Sequence, residues 1–135
     1  MGTGLEGSLS VAYLDTHVAI WLHAGLINHL TEEAKRQIEA NDLLISPMVL
    51  LEFQYLLDKK RIRGEPMGIY TALHTDIGLR FCSFPFAAVA VEALSCDWTC
   101  DPFDRIIVSQ AKANGHSVLI TADRNIRQHY SAAKW

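Results

Sequence analysis

Four acidic residues, Asp15, Glu52, Asp104 and Asp123, stand where apolar runs end or helical patterns begin, and together they span most of the chain. In an α/β fold, strand ends and helix starts meet at one edge of the sheet, so carboxylates distant in sequence can converge there. Carboxylates brought together repel one another unless something positive lies between them. A hard divalent cation, which prefers oxygen ligands, is the simplest candidate. The chemistry such a cluster suits is metal-dependent cleavage of phosphodiesters.

Each position has a plain alternative. Asp15 directly follows an apolar run in Leu14-Asp15-Thr16-His17. Ligands of open parallel sheets bind beyond the carboxyl ends of the strands, but aspartate is also a favoured helix cap. Glu52 lies in the apolar stretch Met48-Val49-Leu50-Leu51-Glu52-Phe53. Glutamate is rarely buried without a partner. The alternative is the solvent side of an amphipathic helix, and the place of Glu52 in the second turn after a strand end favours function. In Asp101-Pro102-Phe103-Asp104-Arg105, Asp101 reads as an N-cap and Asp104 resembles the reciprocal partner of a capping box. A first-turn side chain also projects near the sheet edge, so Asp104 is assigned to the site. Arg105 could meet a carboxylate or a phosphate, or be solvated. Asp123, in Thr121-Ala122-Asp123-Arg124, repeats the arrangement at Asp15, and Thr121 could orient a water at the metal or be an ordinary strand residue. Thr16, Asp101, Arg105 and Thr121 complete the set as orienting or substrate-contacting candidates.

The elements that must position these groups are readable. Val11–Leu14, Leu43–Ile45, Leu79–Phe84 and Ser117–Thr121 are short apolar runs that read as strands. The first, second and fourth lack clean alternation, as strands buried on both faces do. Between them lie helical patterns. Thr31 caps a helix with Glu32 and Glu33 in its first turn, and Ser46-Pro47 opens another. Arg61–Pro66 reads as a loop, Phe86–Leu94 as a helix, and Asp101-Pro102 opens a helix that Asn114-Gly115 closes. Val18–Leu30 is a helical region more apolar than one buried face requires. Alternation of strand and helix predicts an α/β fold with a central, mainly parallel sheet of four to five strands flanked by helices.

The chain of 135 residues, half of them apolar, fits one domain with one core. Residues 11–135 are expected to form it. Met1–Ser10, rich in glycine and serine, reads as a loose arm or an expression remnant and carries neither the basic start nor the apolar run of a secretory signal. No stretch is long and apolar enough for a membrane span. Three cysteines, Cys82, Cys96 and Cys100, give no closed disulfide framework, and a reducing, cytoplasmic setting is expected. Net charge is −3, and setting aside the four carboxylates leaves +1. Charge therefore excludes only a strongly basic, non-specific nucleic-acid binder. Lys59, Lys60, Arg61 and Arg63 form a cationic cluster that could hold a phosphodiester substrate or simply end a helix. Of the six histidines, only His17, beside Asp15, merits a test.

Taken together, Tyr13-Leu14-Asp15-Thr16-His17, Ile45-Ser46-Pro47-Met48-Val49-Leu50-Leu51-Glu52, Asp101-Pro102-Phe103-Asp104-Arg105 and Leu119-Ile120-Thr121-Ala122-Asp123-Arg124 resemble the PIN-domain ribonucleases, and most closely the VapC-type toxins of toxin–antitoxin pairs. The segments run in family order from Val11 to about Tyr130. The resemblance implies a parallel-sheet fold and an acidic quartet of Asp15, Glu52, Asp104 and Asp123. It implies Mg²⁺ or Mn²⁺ as cofactor and single-stranded RNA, of the tRNA or rRNA class, as substrate, with 5′-phosphate and 3′-hydroxyl products. A cognate antitoxin and a homodimer surface are its implied partners. Many relatives carry tryptophan where this chain has Leu51, which reads as a packing variation that removes no ligand.

Two other readings compete. One is a catalytically silent PIN-like module that holds a partner protein, with Val18–Leu30 as part of its interface. The other is a small-molecule phosphohydrolase. A haloacid-dehalogenase type would need a second aspartate where His17 stands, and no Gly-rich phosphate loop follows a strand.

Overall fold

Short apolar runs become the central strands of a five-stranded sheet in a computed structural model that describes residues 10–135. In chain order the elements are β1 (Val11–Leu14), α1 (Thr16–His23), α2 (Glu32–Ala40), β2 (Asp42–Ile45), α3 (Pro47–Asp58), α4 (Pro66–Ile77), β3 (Arg80–Phe81), α5 (Phe86–Ala93), α6 (Pro102–Ala113), β4 (Val118–Ile120), α7 (Arg124–His129) and β5 (Ala133–Lys134). The spatial order is β3-β2-β1-β4-β5 and every pairing is parallel. The arm read over Met1–Ser10 lies outside the described residues except for Ser10, whose carbonyl accepts from the Asp42 amide at 3.0 Å. No helix among the described residues is long and apolar enough to cross a membrane.

The topology decides where a ligand can bind. The chain builds β1, β2 and β3 outward in one direction, then returns to place β4 on the other side of β1. Strand order reverses between β1 and β4, and the loops leaving their carboxyl ends diverge there to leave a crevice. Leu14 pairs with Ile120, so the next residues, Asp15 and Thr121, sit side by side at that crevice. Tyr13, Leu14, Ile45, Leu119 and Ile120 are fully buried, as is Phe53 from α3. Side chains of this kind contribute about 1.5–3 kcal/mol each on leaving water. The carboxylates therefore stand on a rigid floor.

Local chemistry sets the helix starts that face the crevice. Asp15, Ser46, Asp101 and Asp123 are the N-caps of α1, α3, α6 and α7, each accepting from backbone amides of its own first turn. Pro47 and Pro102 fill first-turn positions, where a missing N–H costs nothing. The Ser46 hydroxyl also donates to Gln110 Oε1 at 2.7 Å in the core, tying α3 to α6. The Thr31 cap of α2 forms as expected, its hydroxyl accepting from the Ala34 amide at 3.0 Å.

Three expectations need correction. Strand pairing expected over Leu79–Phe84 shrinks to Arg80–Phe81 at the sheet edge; the Cys82 amide makes one more bond to the Ile45 carbonyl before Pro85 diverts the chain. Val18–Leu30 is not one helical run. Helix α1 ends at His23, Gly25 takes φ +73°, and a short 3-10 turn covers Ile27–His29. Leu51, read as a packing variation, is 60 % exposed and lies outside the core. Strand β5, two residues long beside β4, is too short to announce itself in the sequence.

Candidate active site

Asp15 is the buried centre of the crevice. Its Oδ1 accepts from the Thr16 amide at 2.8 Å and its Oδ2 accepts from the Thr121 hydroxyl at 2.6 Å. The backbone closes the same link, since the Asp15 amide donates to the Ile120 carbonyl at 3.0 Å. Thr121 in turn accepts from the Asp123 amide at 3.0 Å, which fixes the turn that carries Asp123. Thr16, the first residue of α1, donates its hydroxyl to Glu52 Oε1 from α3. Two buried threonines thus orient two carboxylates of different elements. Neither bond was derivable from sequence spacing; the mirrored strand–aspartate–helix motifs gave the only hint.

Asp15, Glu52, Asp104 and Asp123 face one cleft of about 330 Å³, with Asp101, His17 and Trp21 on its wall. All four sequence-assigned carboxylates are therefore brought together. Burial raises the pKa of Asp15; the Thr121 and Thr16 bonds work against this rise. Burial pushes Glu52 up to about 7, opposed by the Thr16 bond and reinforced by the charges of Asp15, Asp101 and Asp123. Asp104 also rises to about 7, first through burial and then through Asp15, Asp101, Asp123 and Glu52. Mutually raised carboxyls mark a site that lacks counter-charge. The salt bridges among the described residues join Lys35–Glu32, Arg36–Glu33 and Lys112–Glu92, and none reaches the cleft.

The donor set is all oxygen and fits a hard divalent cation in chemistry. The arrangement is open rather than caged: among the described residues, no group of three His, Cys, Asp or Glu side chains stands ready to hold a metal ion.

The sequence model of the PIN domain matches residues 12–131, nearly the whole chain. The chain belongs to the PIN-domain family. PIN domains are generally nucleases and typically use divalent metal ions. No curated protein matches the chain. Among solved structures it is similar to VapBC2 from Rickettsia felis bound to a DNA fragment from their promoter, at 17 % identity and a TM-score of 0.60, covering 87 % of this chain and 92 % of that one. At that identity the likeness is one of fold.

The remaining candidates of this PIN domain separate clearly. Asp101 accepts from the Phe103 and Asp104 amides at 2.8 and 3.2 Å, so its cap holds Asp104 in place while it lines the cleft. Arg105 turns away from the carboxylates. Its guanidinium donates to the Ala93 and Thr99 carbonyls at 3.0 and 2.8 Å, tying down the α5–α6 connection. Lys59 sits 5.6 Å from the centroid of the Tyr55 ring, and Tyr55 lies 5.5 Å from Phe103, next to Asp104. Trp21 was missed as a site residue because its neighbours read as an apolar interface. Its spacing of four from His17 was the available signal, since such residues share a helix face.

Proposed function

We propose that the protein is a metal-dependent endoribonuclease and the toxin of a toxin–antitoxin pair. The observation that carries this reading is the convergence of four carboxylates, reached by no salt bridge among the described residues, at the switch point of a parallel sheet. Asp15 and Asp104 would be direct ligands of Mg²⁺ or Mn²⁺, with Glu52 and Asp123 acting directly or through water. When bound, the cation supplies Lewis-acid chemistry, activating water and offsetting charge on the phosphoryl oxygens. The chain's own residues do the rest. Thr121 and Thr16 hold Asp15 and Glu52 in fixed rotamers, and Asp101 fixes the first turn that carries Asp104. Glu52 and Asp104, with pKa values about 7, are poised to exchange a proton with water near neutral pH before metal binds. No side chain need act as nucleophile.

The toxin assignment rests on the motif resemblance and on the VapBC2-like fold. Exposed Leu26 and Ile27, in the turn after α1, are apolar surface suited to an antitoxin segment. Leu51 and Phe86, each 60 % exposed beside an apolar hollow, suit a homodimer face. A cytoplasmic location and inhibition of translation follow from this reading.

The test is incubation with a mixed tRNA and ribosomal RNA pool in Mg²⁺ or Mn²⁺, in EDTA, and with Asp15→Asn. Discrete cuts that need metal and vanish in the folded variant are expected. Full activity in folded Asp15→Asn would refute the site. No cuts from folded, partner-free, metal-loaded protein would favour a silent binding module.

A further inference from the structure

A second hollow, of about 680 Å³, is lined by Glu33, Arg124, Arg127, Gln128, Lys134 and Trp135. Three cationic side chains face one carboxylate side chain, and Glu33 is already engaged by Arg36 at 2.6 Å and Gln37 at 2.8 Å. Among the described residues, Arg124, Arg127 and Lys134 enter no salt bridge. Arg124 and Arg127 are both exposed and three apart on α7, so they share a face. Arg124 directly follows Asp123 of the catalytic cleft.

The two hollows share a wall. Trp21 lines the catalytic cleft, Trp135 lines the cationic hollow, and their ring centroids lie 5.8 Å apart. A polymer leaving the carboxylates on this side meets first an aromatic surface and then concentrated positive charge. Unpaired nucleic acid offers a stackable face and a phosphate in every residue, and proteins hold it with aromatic platforms set among cations. An acidic peptide would satisfy the cations and leave the indoles unused.

We propose that this hollow is a subsite for the RNA strand flanking the scissile bond, in which Arg124, Arg127 and Lys134 take backbone phosphate and Trp135, backed by Trp21, takes an unpaired base. The inference rests on the ribonuclease reading and adds to it the side of the cleft along which substrate runs. Lys59, Lys60, Arg61 and Arg63, on the far end of α3 and the loop beyond, are not part of it.

The experiment is anisotropy of a labelled single-stranded oligouridine with the full chain in EDTA, over a range of KCl, so that binding is read apart from cleavage. Arg124→Ala/Arg127→Ala should lower the slope of log affinity against log salt by about 1.4, since each phosphate contact on a single strand contributes about 0.7. Trp135→Ala should weaken binding by roughly 5- to 160-fold, the range for loss of one stacked base, and Trp135→Phe should restore most of it. Circular dichroism confirms that each variant folds. Arg80→Ala/Lys112→Ala removes equal charge at positions that line neither hollow and should leave the slope unchanged. An equal loss in both double variants, no RNA binding by the wild-type chain, or polyglutamate binding with RNA affinity unaltered would each overturn the subsite. Binding through these residues without cleavage in metal would instead overturn the nuclease reading, and cleavage with undiminished RNA affinity in the variants would overturn the subsite alone.

Discussion

Replacing Asp104 by asparagine should stabilise the metal-free protein at alkaline pH. The Asp104 carboxyl has no hydrogen-bond donor among the described residues, and burial together with four neighbouring carboxylates raises its pKa from 3.8 to about 7. Its native form therefore holds a proton that the unfolded chain has released between about pH 4 and pH 7. By linkage, stability falls as pH rises through that window, and the whole penalty is present above it. Taken at face value the shift corresponds to about 4 kcal/mol. The side chain keeps contact with solvent, and screening reduces this to about 1–2 kcal/mol. Asparagine keeps the shape and removes the charge, so at pH 8 in EDTA its melting temperature should exceed the wild type's by roughly 3–8 °C. At pH 4.5 about half to two-thirds of that gain should remain. Calorimetry or thermal circular dichroism at the two pH values reads both numbers. A variant no more stable than wild type at pH 8, or one with an equal gain at both, would refute like-charge repulsion at the site.

Saturating Mg²⁺ at pH 8 should reverse that order: at a hundredfold excess over Kd the wild type gains about 2.7 kcal/mol, and Asp104→Asn gains much less in the same melt. Thr121→Val keeps the side chain's shape but removes the hydroxyl that donates to Asp15 Oδ2 at 2.6 Å. It should cost about 1–3 kcal/mol in denaturant melts and lower the rate of RNA cleavage. Arg105→Ala should destabilise the fold by about 1–3 kcal/mol through its two lost carbonyl bonds, while RNA affinity in an anisotropy titration stays near wild type. A selective loss of affinity would return Arg105 to the substrate.

The sheet core and the helix starts were legible because both are written in short-range chemistry. Runs such as Leu43–Ile45 have no polar face to turn outward, and Ser46-Pro47 and Asp101-Pro102 are local capping signals that long-range packing did not override. Asp15 and Asp123 follow strand ends, and Glu52 and Asp104 lie in the opening turns of helices started by Ser46-Pro47 and Asp101-Pro102, so their shared cleft could be anticipated from strand ends and helix starts together. What stayed hidden depends on contacts between distant residues. The bonds of Thr16 to Glu52 and of Thr121 to Asp15 cross separations of 36 and 106 residues. Strand β5 is set by its pairing with β4 rather than by its own two residues. Arg105 looked like a site cation because Asp104 precedes it, yet successive helix residues point in different directions, and its guanidinium finds carbonyls of the α5–α6 connection. Likewise, Trp21 lines the cleft beside His17 rather than forming part of one continuous apolar helix, because α1 stops at His23.

The measurement that bears most directly on the carboxylate site is Mn²⁺ binding, followed as loss of the free-ion paramagnetic resonance signal, with wild-type protein, Asp15→Asn and Asp104→Asn near neutral pH. Saturable binding by the wild type, lost in Asp15→Asn and weakened in Asp104→Asn while both remain folded, is the expected result. Equal binding by all three proteins, or none by folded wild type, would contradict a divalent cation held by Asp15, Glu52, Asp104 and Asp123.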